Sequence, residues 1–392
     1  MDGLRVLICN ITLASRSGTE TYVRDLALGL LQRGHTPIVY SPNLGPIAQE
    51  LRSASIPVLD DLRKLAVTPD VIHGQHSAET MTALLHFPDR PAVYSFHDSV
   101  SWHSIPPHFP RILRYVAVDL TCRDRMVCEH GIPEDRVRVL LNAVDLKRFQ
   151  PRGPLPPRPQ RALIFNNNAT ETTHLPAVRA ACARTGLTLD VIGARAGTVH
   201  SQPEAVLGQY DLVFAVARCC LEALAVGNAV VLCDHRGAGP LVTTGELERL
   251  RPLNFGLRTL VNPTRPDVLV AEIARYNPED AAAVSQHIRA TAGLDAAIDA
   301  AIALYQEVLT EHAELHIDPA DEGRAAAAYL RSLAPLLQER EVFRLERDHY
   351  QAEWLTLRRS KMGQAVHRLR QVPLLGALIR RLARRLAGRG SR

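Results

Sequence analysis

The sequence lacks the cysteine patterns of disulfide frameworks and zinc sites. Its seven cysteines are scattered and odd in number, and no CxxC pair or other metal-ligand spacing occurs in the 392 residues. Disulfides persist in oxidising compartments, and paired ligand motifs mark structural zinc. We therefore expect reduced thiols in a cytoplasmic protein, with no bound metal.

Long apolar runs are also missing. No stretch approaches the ~20 apolar residues that a membrane-spanning helix needs. Residues 1–14 lack the basic start and the cleavage site of a signal peptide. Both absences predict a protein that stays in the cytoplasm and does not cross the membrane.

Acidic residues are absent from the end of the chain. Residues 358–392 hold eleven Lys or Arg and no Asp or Glu, which leaves 35 basic against 41 acidic residues in 1–357. The body therefore gives no reason to expect nucleic acid as a partner. From Pro373 the tail predicts an amphipathic helix of leucines and arginines, typical of a peripheral helix on an anionic membrane surface. Packing on the body or contact with nucleic acid are the alternatives for this tail.

Short apolar runs alternate with helical patterns along most of the chain, which is typical of α/β proteins with parallel sheets. The length suggests two domains and an additional part. Residues 151–160 are a proline-rich, semi-rigid linker, so we predict Rossmann-like domains over 1–150 and 161–310. Residues 311–392 are then a helical extension, in which the alternating charges of 339–359 indicate a solvated helix or a coiled coil.

The stretch from Asp211 to Pro240 predicts a βαβ unit with a very short first turn. Two apolar runs, 212–216 and 229–233, flank a helical segment that Gly227 ends. Arg218 and Glu222 lie four residues apart in that helix and share a face. An arginine beside helix-start amides suits a diphosphate, and a carboxylate one turn later can accept two hydroxyl protons of a sugar. An ordinary ion pair is the alternative for these two side chains.

Three segments resemble the retaining GT-B glycosyltransferases of the family-four type. They are the signature EALAVGNAVV from Glu222, the block GIPEDRVRVLLNAVDLKRFQP from Gly131, and SGTETYVRDLALGLLQRGHTPIV from Ser17. The resemblance implies two Rossmann-like domains that face each other across a cleft, and transfer of a sugar from a nucleotide-diphosphate-sugar to a glycan or lipid-linked glycan. It further implies a role in cell-surface polysaccharide or glycoconjugate synthesis.

The resemblance also implies roles for single residues. Glu222 would bind the donor ribose, and Gly18 would let the backbone approach the donor phosphates or the acceptor. His97, in a segment similar to the family's strand-end histidine, would lie near the reacting sugar, although a histidine that caps a loop is an equal alternative. Gly193 and Gly237 follow predicted strands and are further candidates for donor binding.

The sequence departs from the family at positions that bear on catalysis. The family's first glutamate falls on Phe214, and residues 166–174 lack the basic pair that clamps the donor diphosphate. Arg218 and Arg195 are the basic residues that we can place near the strand ends of the second domain, so we predict Arg218 as the main diphosphate ligand and catalytic group. For Arg195, a solvated loop residue is the alternative.

No Asp-x-Asp triplet occurs, which favours a metal-independent reaction with no cofactor besides the nucleotide-sugar. Two other functions remain open. The missing glutamate and basic pair favour a non-catalytic GT-B module that binds a glycan, a nucleotide or a partner enzyme. A nucleotide-sugar epimerase of the same two-domain shape is the third reading.

Overall fold

A computed structural model describes residues 3–97, 101–198, 200 and 202–359, and these divide at residue 322 into two compact units. The strands are β1 (Arg5–Cys9), β2 (Thr36–Tyr40), β3 (Val58–Leu59), β4 (Val71–Gly74), β5 (Ala92–Phe96), β6 (Ile112–Ala117), β7 (Val137–Val139), β8 (Arg161–Phe165), β9 (Thr188–Ile192), β10 (Leu212–Ala215), β11 (Ala229–Asp234) and β12 (Gly237–Leu241). The helices are α1 (Gly18–Gln32), α2 (Pro46–Ser53), α3 (Ser77–His86), α4 (Leu120–Cys128), α5 (Leu175–Thr185), α6 (Glu204–Leu207), α7 (Ala217–Val226), α8 (Leu247–Leu250), α9 (Pro266–Ile273), α10 (Pro278–Thr291), α11 (Leu294–Glu314) and α12 (Pro319–Arg359).

The first unit contains two sheets, each with helices packed against it. The first sheet has the order β3-β2-β1-β4-β5-β6-β7 and is parallel throughout. Its central strands are apolar runs buried on both faces, as expected when helices cover a parallel sheet. The strand order reverses between β1 and β4, and ligands bind at such points in open α/β sheets.

The second sheet has the order β12-β11-β10-β8-β9. Four of its strands are parallel, and β12 pairs with β11 in the antiparallel direction. Its strand order reverses between β8 and β10, so α7, which follows β10 directly, begins near this reversal. The two sheets with alternating helices confirm the predicted α/β fold class.

The chain returns to the first sheet after the second is complete. Helix α11 buries Ile298, Leu304 and Tyr305 in the core that covers the first sheet. Two crossing segments connect the lobes and are hydrogen-bonded to each other, with Val144 N to Ala292 O at 2.9 Å and Leu294 N to Val144 O at 2.9 Å. We call β1–β7 with α1–α4 and α11 the first lobe, and β8–β12 with α5–α10 the second.

Two segments differ from what the sequence predicts. The helical pattern of 281–310 predicts a single helix, but this segment forms two helices, α10 and α11, separated at Gly293, and the second of them belongs to the first lobe. The glycines of residues 235–240 predict a loop, but most of this segment is strand β12, which pairs in the antiparallel direction with β11. On its other side, Ala238 exchanges backbone hydrogen bonds with Asn262 at 2.8 and 3.0 Å. The predicted helical extension contains α12, which runs unbroken through Pro335.

Residues 323–359 of α12 are the described part of the second unit, and the basic amphipathic tail predicted from Pro373 lies outside the described residues. Among the helices that are described, none combines the length and the apolar character that crossing a membrane requires.

Candidate functional site

The lobes contact each other through polar side chains at the carboxyl ends of their strands. Asn254 Nδ2 of the second lobe donates to the Val118 carbonyl of the first at 2.7 Å, and both residues are buried. Arg258 Nη1 donates to Asp124 Oδ2 at 2.5 Å. These contacts hold the strand ends of both sheets toward one cleft, where two cavities lie on either side of the start of α7.

The first cavity, which we call the arginine cavity, has a volume of about 140 Å³. It combines four guanidinium groups with the Glu222 carboxylate and with residues from both lobes. The lining includes Arg16, Gly18, Arg24, Arg148, Phe165, Asn167, Gly193, His200, Arg218 and Glu222. Four arginines against one lining carboxylate favour an anion, and each planar guanidinium can donate two hydrogen bonds to a phosphate.

Arg218 joins the two lobes inside this cavity. Its Nε donates to Glu222 Oε1 at 2.9 Å, and its Nη2 donates to Asp25 Oδ2 on α1 of the first lobe. The Arg218 side chain is 17% exposed, while those of Glu222 and Asp25 are 9% and 6% exposed. The predicted pair of Arg218 and Glu222 is therefore present, and the first lobe adds a second carboxylate to it.

Burial and charge act on this cluster in different directions. Burial raises the pKa of Glu222, and Arg218 offsets only part of that effect. Burial also opposes ionisation of Asp25, but Arg218 and Arg24 together lower its pKa below the usual value. For Arg218, burial would lower the pKa, yet Asp25 and Glu222 raise it on balance, so the guanidinium stays charged.

Two further arginines reach the arginine cavity from α1 and the loop before it. Arg24 Nε and Nη2 donate to Asp25 Oδ1 at 2.9 and 2.6 Å, and Arg24 is 4% exposed. Arg16 pairs with Glu50 at 3.1 Å near the surface. The first lobe thus brings two guanidinium groups, each already paired with a carboxylate, to a site whose expected basic pair is missing from the second lobe.

Arg148 lines the same cavity from the segment that precedes the linker. Its Nη2 pairs with Glu204 Oε2 at 3.0 Å, and its guanidinium stacks 5.5 Å from the centre of the Phe149 ring. The side chain remains 29% exposed, so it can also contact a ligand in the cavity. Stacking restricts the rotamers of Arg148 and keeps its charge at the cavity wall.

Two of the predicted glycines border the arginine cavity. Gly18 begins α1, and a Cβ atom there would meet nothing within 4 Å. Gly193 follows β9 directly, and a Cβ atom there would lie 2.1 Å from the Asn166 carbonyl oxygen. Glycine is therefore required at 193 by the close approach of two backbone segments, while at 18 it leaves open space beside the first amides of α1.

The second cavity, which we call the His97 cavity, has a volume of about 170 Å³. His97 follows β5 and packs edge-on against Tyr22, with ring centroids 4.4 Å apart. Two carboxylates share the cavity with it. Asp119 caps α4 by accepting from Cys122 N at 2.7 Å, and burial raises its pKa. Asp234 ends β11 and is 1% exposed.

The start of α7 separates the two cavities. Val216 and Ala217 line the His97 cavity, and Arg218 lines the arginine cavity. Ala217 has a φ of +49°, which an L-residue adopts at a cost of about 1 kcal/mol or more. Its amide donates to the Phe255 carbonyl at 2.9 Å, which leaves the next amides of the first turn between the cavities.

Two predicted donor ligands lie elsewhere. Arg195 is exposed on a short 3₁₀ turn after β9 and lines neither cavity. Gly237 is buried at the start of β12, where a Cβ atom would lie 3.0 Å from the Asn262 carbonyl oxygen, so its place is explained by packing. The described residues contain no cluster of three or more His, Cys, Asp or Glu side chains placed to hold a metal ion.

Sequence reasoning missed Arg16, Arg24 and Arg148 as cavity residues. Arg24 and Arg148 both stand inside the blocks that resemble the glycosyltransferase family, but at positions that the family pattern does not fix. Their convergence depends on how the two lobes meet, which no local pattern encodes. An excess of arginine at the ends of those blocks was the available signal.

Residues 16–148 match the family model described as Glycosyltransferase Family 4. That segment includes Arg16, Gly18, Arg24, His97 and Arg148. No curated protein is significantly similar to this chain in sequence.

Solved structures share its architecture at low sequence identity. A glycosyltransferase from Rickettsia africae superposes with a TM-score of 0.58 at 16% identity, over 79% of this chain and 99% of its own. Anabaena HepE in complex with UDP and glucose gives a TM-score of 0.54 at 15% identity, over 78% and 99%. The complex of HepE with UDP-glucose gives 0.52 at 15% identity, over 80% and 100%. The first unit of this chain therefore has the GT-B fold of glycosyltransferases, and its residues 16–148 match the Glycosyltransferase Family 4 model.

Proposed function

We propose that this protein is a glycosyltransferase that takes a sugar from a nucleotide-diphosphate-sugar, with retention of configuration and without a metal. The observation that carries the proposal is the convergence of four arginines and Glu222 on one cavity at the start of α7. A diphosphate leaving group needs positive charge where negative charge develops. The arginines of both lobes supply that charge.

In this proposal, different parts of the donor occupy the two cavities. The nucleoside and diphosphate occupy the arginine cavity, with the ribose hydroxyls on Glu222 and the phosphates on Arg218, Arg148 and the helix-start amides. The sugar occupies the His97 cavity, where Asp119 and Asp234 can accept hydrogen bonds from its hydroxyl groups. In the family, the first glutamate of the signature contacts the donor sugar. Phe214 occupies that position here, so Asp119 and Asp234 would make this contact instead.

His97 and Arg218 are the groups proposed to act on the reacting atoms. Arg218 stabilises the charge on the departing diphosphate, since its charge is retained in the buried site. His97 lines the cavity assigned to the sugar and is positioned by Tyr22. Binding of the diphosphate requires Arg218 to exchange part of its contact with Asp25 for phosphate oxygens.

The acceptor in this proposal is a glycan or a lipid-linked glycan. The basic residues of 358–392 would bring the enzyme to an anionic membrane surface, where such acceptors are found. This placement rests on the sequence of the tail, most of which lies outside the described residues.

Binding of UDP and hydrolysis of UDP-glucose by the full chain test the proposal, with GDP and dTDP and their glucose conjugates as alternative donors. Arg148→Ala removes a charge-assisted hydrogen bond and should weaken nucleotide binding by about 1.4 kcal/mol, which is roughly tenfold. Glu222→Ala should weaken it by ~1.5–3 kcal/mol. Arg195→Ala is the matched control because Arg195 is outside the cavity, and it should bind as the parent does.

The products of the assay test retention of configuration and the alternative of a non-catalytic module. NMR of the released or transferred sugar should show the anomeric configuration of the donor, and an inverted product contradicts retention. Nucleotide binding without hydrolysis or transfer for any of the three donors supports the non-catalytic module, which the engagement of Arg218 by Asp25 and Glu222 favours. Loss of binding in Arg195→Ala but not in Arg148→Ala contradicts the assignment of the cavity.

A further inference from the structure

Helix α12 carries a seven-residue repeat beyond Pro335. Leu336, Phe343, Tyr350 and Leu357 recur every seven residues, and a second row precedes each of them by three, at Leu333, Arg340, Arg347 and Trp354. In the heptad abcdefg the first row occupies d and the second occupies a. A helix with such a repeat has its a and d side chains on one seam that faces a partner helix.

Large apolar side chains of this seam are exposed in the single chain. Phe343 is 59% exposed, Tyr350 is 64% exposed and Trp354 is 56% exposed. Burying a large aromatic side chain of this kind is worth ~1.5–3 kcal/mol. A partner helix that covers the seam recovers this free energy over 25 residues, or about 37 Å of helix.

The positions beside the seam carry opposite charges on its two sides. Position g is glutamate three times in succession, at Glu339, Glu346 and Glu353, and position e is Arg344, Gln351 and Arg358. In a parallel pair, each g residue lies beside the e residue of the following heptad in the other helix. Glu339 then meets Arg344, and Glu353 meets Arg358, in both directions.

An antiparallel pair is disfavoured by the same charges, because it places g opposite g and e opposite e. It would bring glutamates together on one side and arginines on the other. In the parallel arrangement the two a-position arginines, Arg340 and Arg347, face their own copies across the seam, and the glutamate at the preceding g position of the partner offsets that repulsion. Their aliphatic stems cover apolar surface while the guanidinium groups reach those carboxylates.

Charged residues of α12 can give up their contacts within the helix for contacts with a partner helix. Arg344 pairs with Glu341 at 2.5 Å and Arg347 with Asp348 at 2.7 Å, with every one of these side chains more than half exposed. Exposed pairs of this kind contribute ~0.2–1 kcal/mol, so their loss is a small cost on association. Pro335 falls at position c, outside the seam, and marks where the repeat becomes regular.

We propose that residues 333–358 form a parallel two-stranded coiled coil with a second copy of this chain. The occupant is a second copy because the glutamate side of the helix is complementary to its own arginine side in a two-fold arrangement. The inference does not depend on the proposed function. It implies that a parallel coiled coil joins two copies of this chain through α12.

Sedimentation velocity of the full chain tests this proposal. The parent should have the mass of a dimer, twice 43.2 kDa, at micromolar concentration and physiological salt. Phe343→Glu places a charge in the seam and should yield the monomer. Leu345→Glu is the matched control, because Leu345 is also 59% exposed but lies at the outer position f, and it should remain a dimer.

A charge exchange tests the parallel register. Glu339→Arg combined with Glu353→Arg should dissociate the dimer, and so should Arg344→Glu combined with Arg358→Glu. Mixing the two variants should restore a dimer that contains one copy of each. Unchanged helical circular dichroism in every variant shows that the loss of mass is not loss of folding.

Three outcomes overturn the proposal. A monomeric or trimeric parent contradicts the two-stranded coil. Dissociation by Leu345→Glu to the same extent as by Phe343→Glu places the contact on another face. Failure of the mixed variants to pair, while each alone is monomeric, contradicts the parallel register.

Discussion

Replacement of Arg218 by alanine should destabilise the first unit strongly, and more so at pH 8 than at pH 5. The change leaves Asp25 and Glu222, whose side chains are at most 9% exposed, without the cation that lies between them. Breaking a buried ion pair by removal of one partner costs about 3–5 kcal/mol. Arg24 still contacts Asp25 at 2.6 Å, so we expect the lower end of that range.

The direction of the pH effect follows from the carboxylates. In the parent, the pKa of Glu222 is already raised by burial. Without Arg218 the folded-state pKa of both carboxyls rises: that of Glu222 moves further above its unfolded value, and that of Asp25 loses part of the lowering that Arg218 and Arg24 produce together. A carboxyl whose pKa is raised on folding destabilises the protein once the pH exceeds the unfolded pKa near 4.5, and the effect grows up to the folded pKa. Protonation at pH 5 therefore relieves much of the penalty that is present at pH 8.

Urea unfolding followed by circular dichroism measures this effect. A double variant, Arg218→Ala with Glu222→Gln, removes one of the stranded charges and should be more stable at pH 8 than Arg218→Ala alone. Coupling between contacting residues is typically about 0.5–3 kcal/mol. Arg148→Ala is the control, because its pair with Glu204 is partly exposed, and it should cost less than ~1 kcal/mol.

Two results would refute the reasoning. If the effects of Arg218→Ala and Glu222→Gln simply add, the two side chains do not interact in the folded protein. If Arg218→Ala lowers the free energy of unfolding by the same amount at pH 5 and pH 8, Asp25 and Glu222 are not left as buried, unpaired carboxylates, and water reaches the cluster.

Two further predictions concern the glycine at the cavity wall and the buried histidine of the first lobe. Gly193→Ala should destabilise the protein by ~1–3 kcal/mol in urea unfolding, since its Cβ would lie 2.1 Å from the Asn166 carbonyl oxygen. Gly18→Ala is the control, because a Cβ atom there meets nothing within 4 Å and stability should not change. Equal losses of stability in the two variants would contradict this prediction. His73 Nδ1 is hydrogen-bonded to Tyr305 Oη at 2.6 Å, and burial lowers the pKa of His73 from 6.5 to about 3. Because the unfolded chain binds the proton more tightly, stability should fall as the pH drops from 6.5 toward 3, by up to ~1.4 kcal/mol per unit, and His73→Gln should remove that share of the slope.

The strands of both sheets could be predicted because each is a short apolar run between polar turns. The apolar run 92–96 predicts a strand that agrees with β5, and the run 229–233 predicts one that differs from β11 by one residue. Burial on both faces makes such runs continuous in sequence, so that length and flanking residues suffice to identify them.

Strand β12 could not be predicted in this way. Its sequence GAGPL has two glycines and a proline, which are poor strand formers. It forms at the edge of the sheet, where a proline is tolerated, and its outer side is paired with Asn262. The break between α10 and α11 had a visible signal in Gly293, but apolar periodicity continues on both sides of it.

Only the part of the site that lies within one segment of the chain could be predicted. The pairing of Arg218 with Glu222 follows from helical spacing within one segment. The contact of Arg218 with Asp25 joins residues 193 positions apart and depends on how two lobes meet. The roles proposed for His97, Gly18 and Glu222 in donor binding stay predictions until ligands are tested.

The return of α11 to the first sheet makes the second lobe an insertion within the first. The chain enters that lobe after Val144 and leaves it at Gly293, and the two crossing segments lie side by side as a backbone-bonded pair. A fragment cut at these two adjacent points would keep both of its ends together. The second lobe is thus arranged as a cassette, which recombination could exchange for another of the same kind while β1–β7 and α11 stay assembled. Chimaeras joined near residues 144 and 293 would show whether the second lobe can be exchanged as one unit between proteins of this architecture.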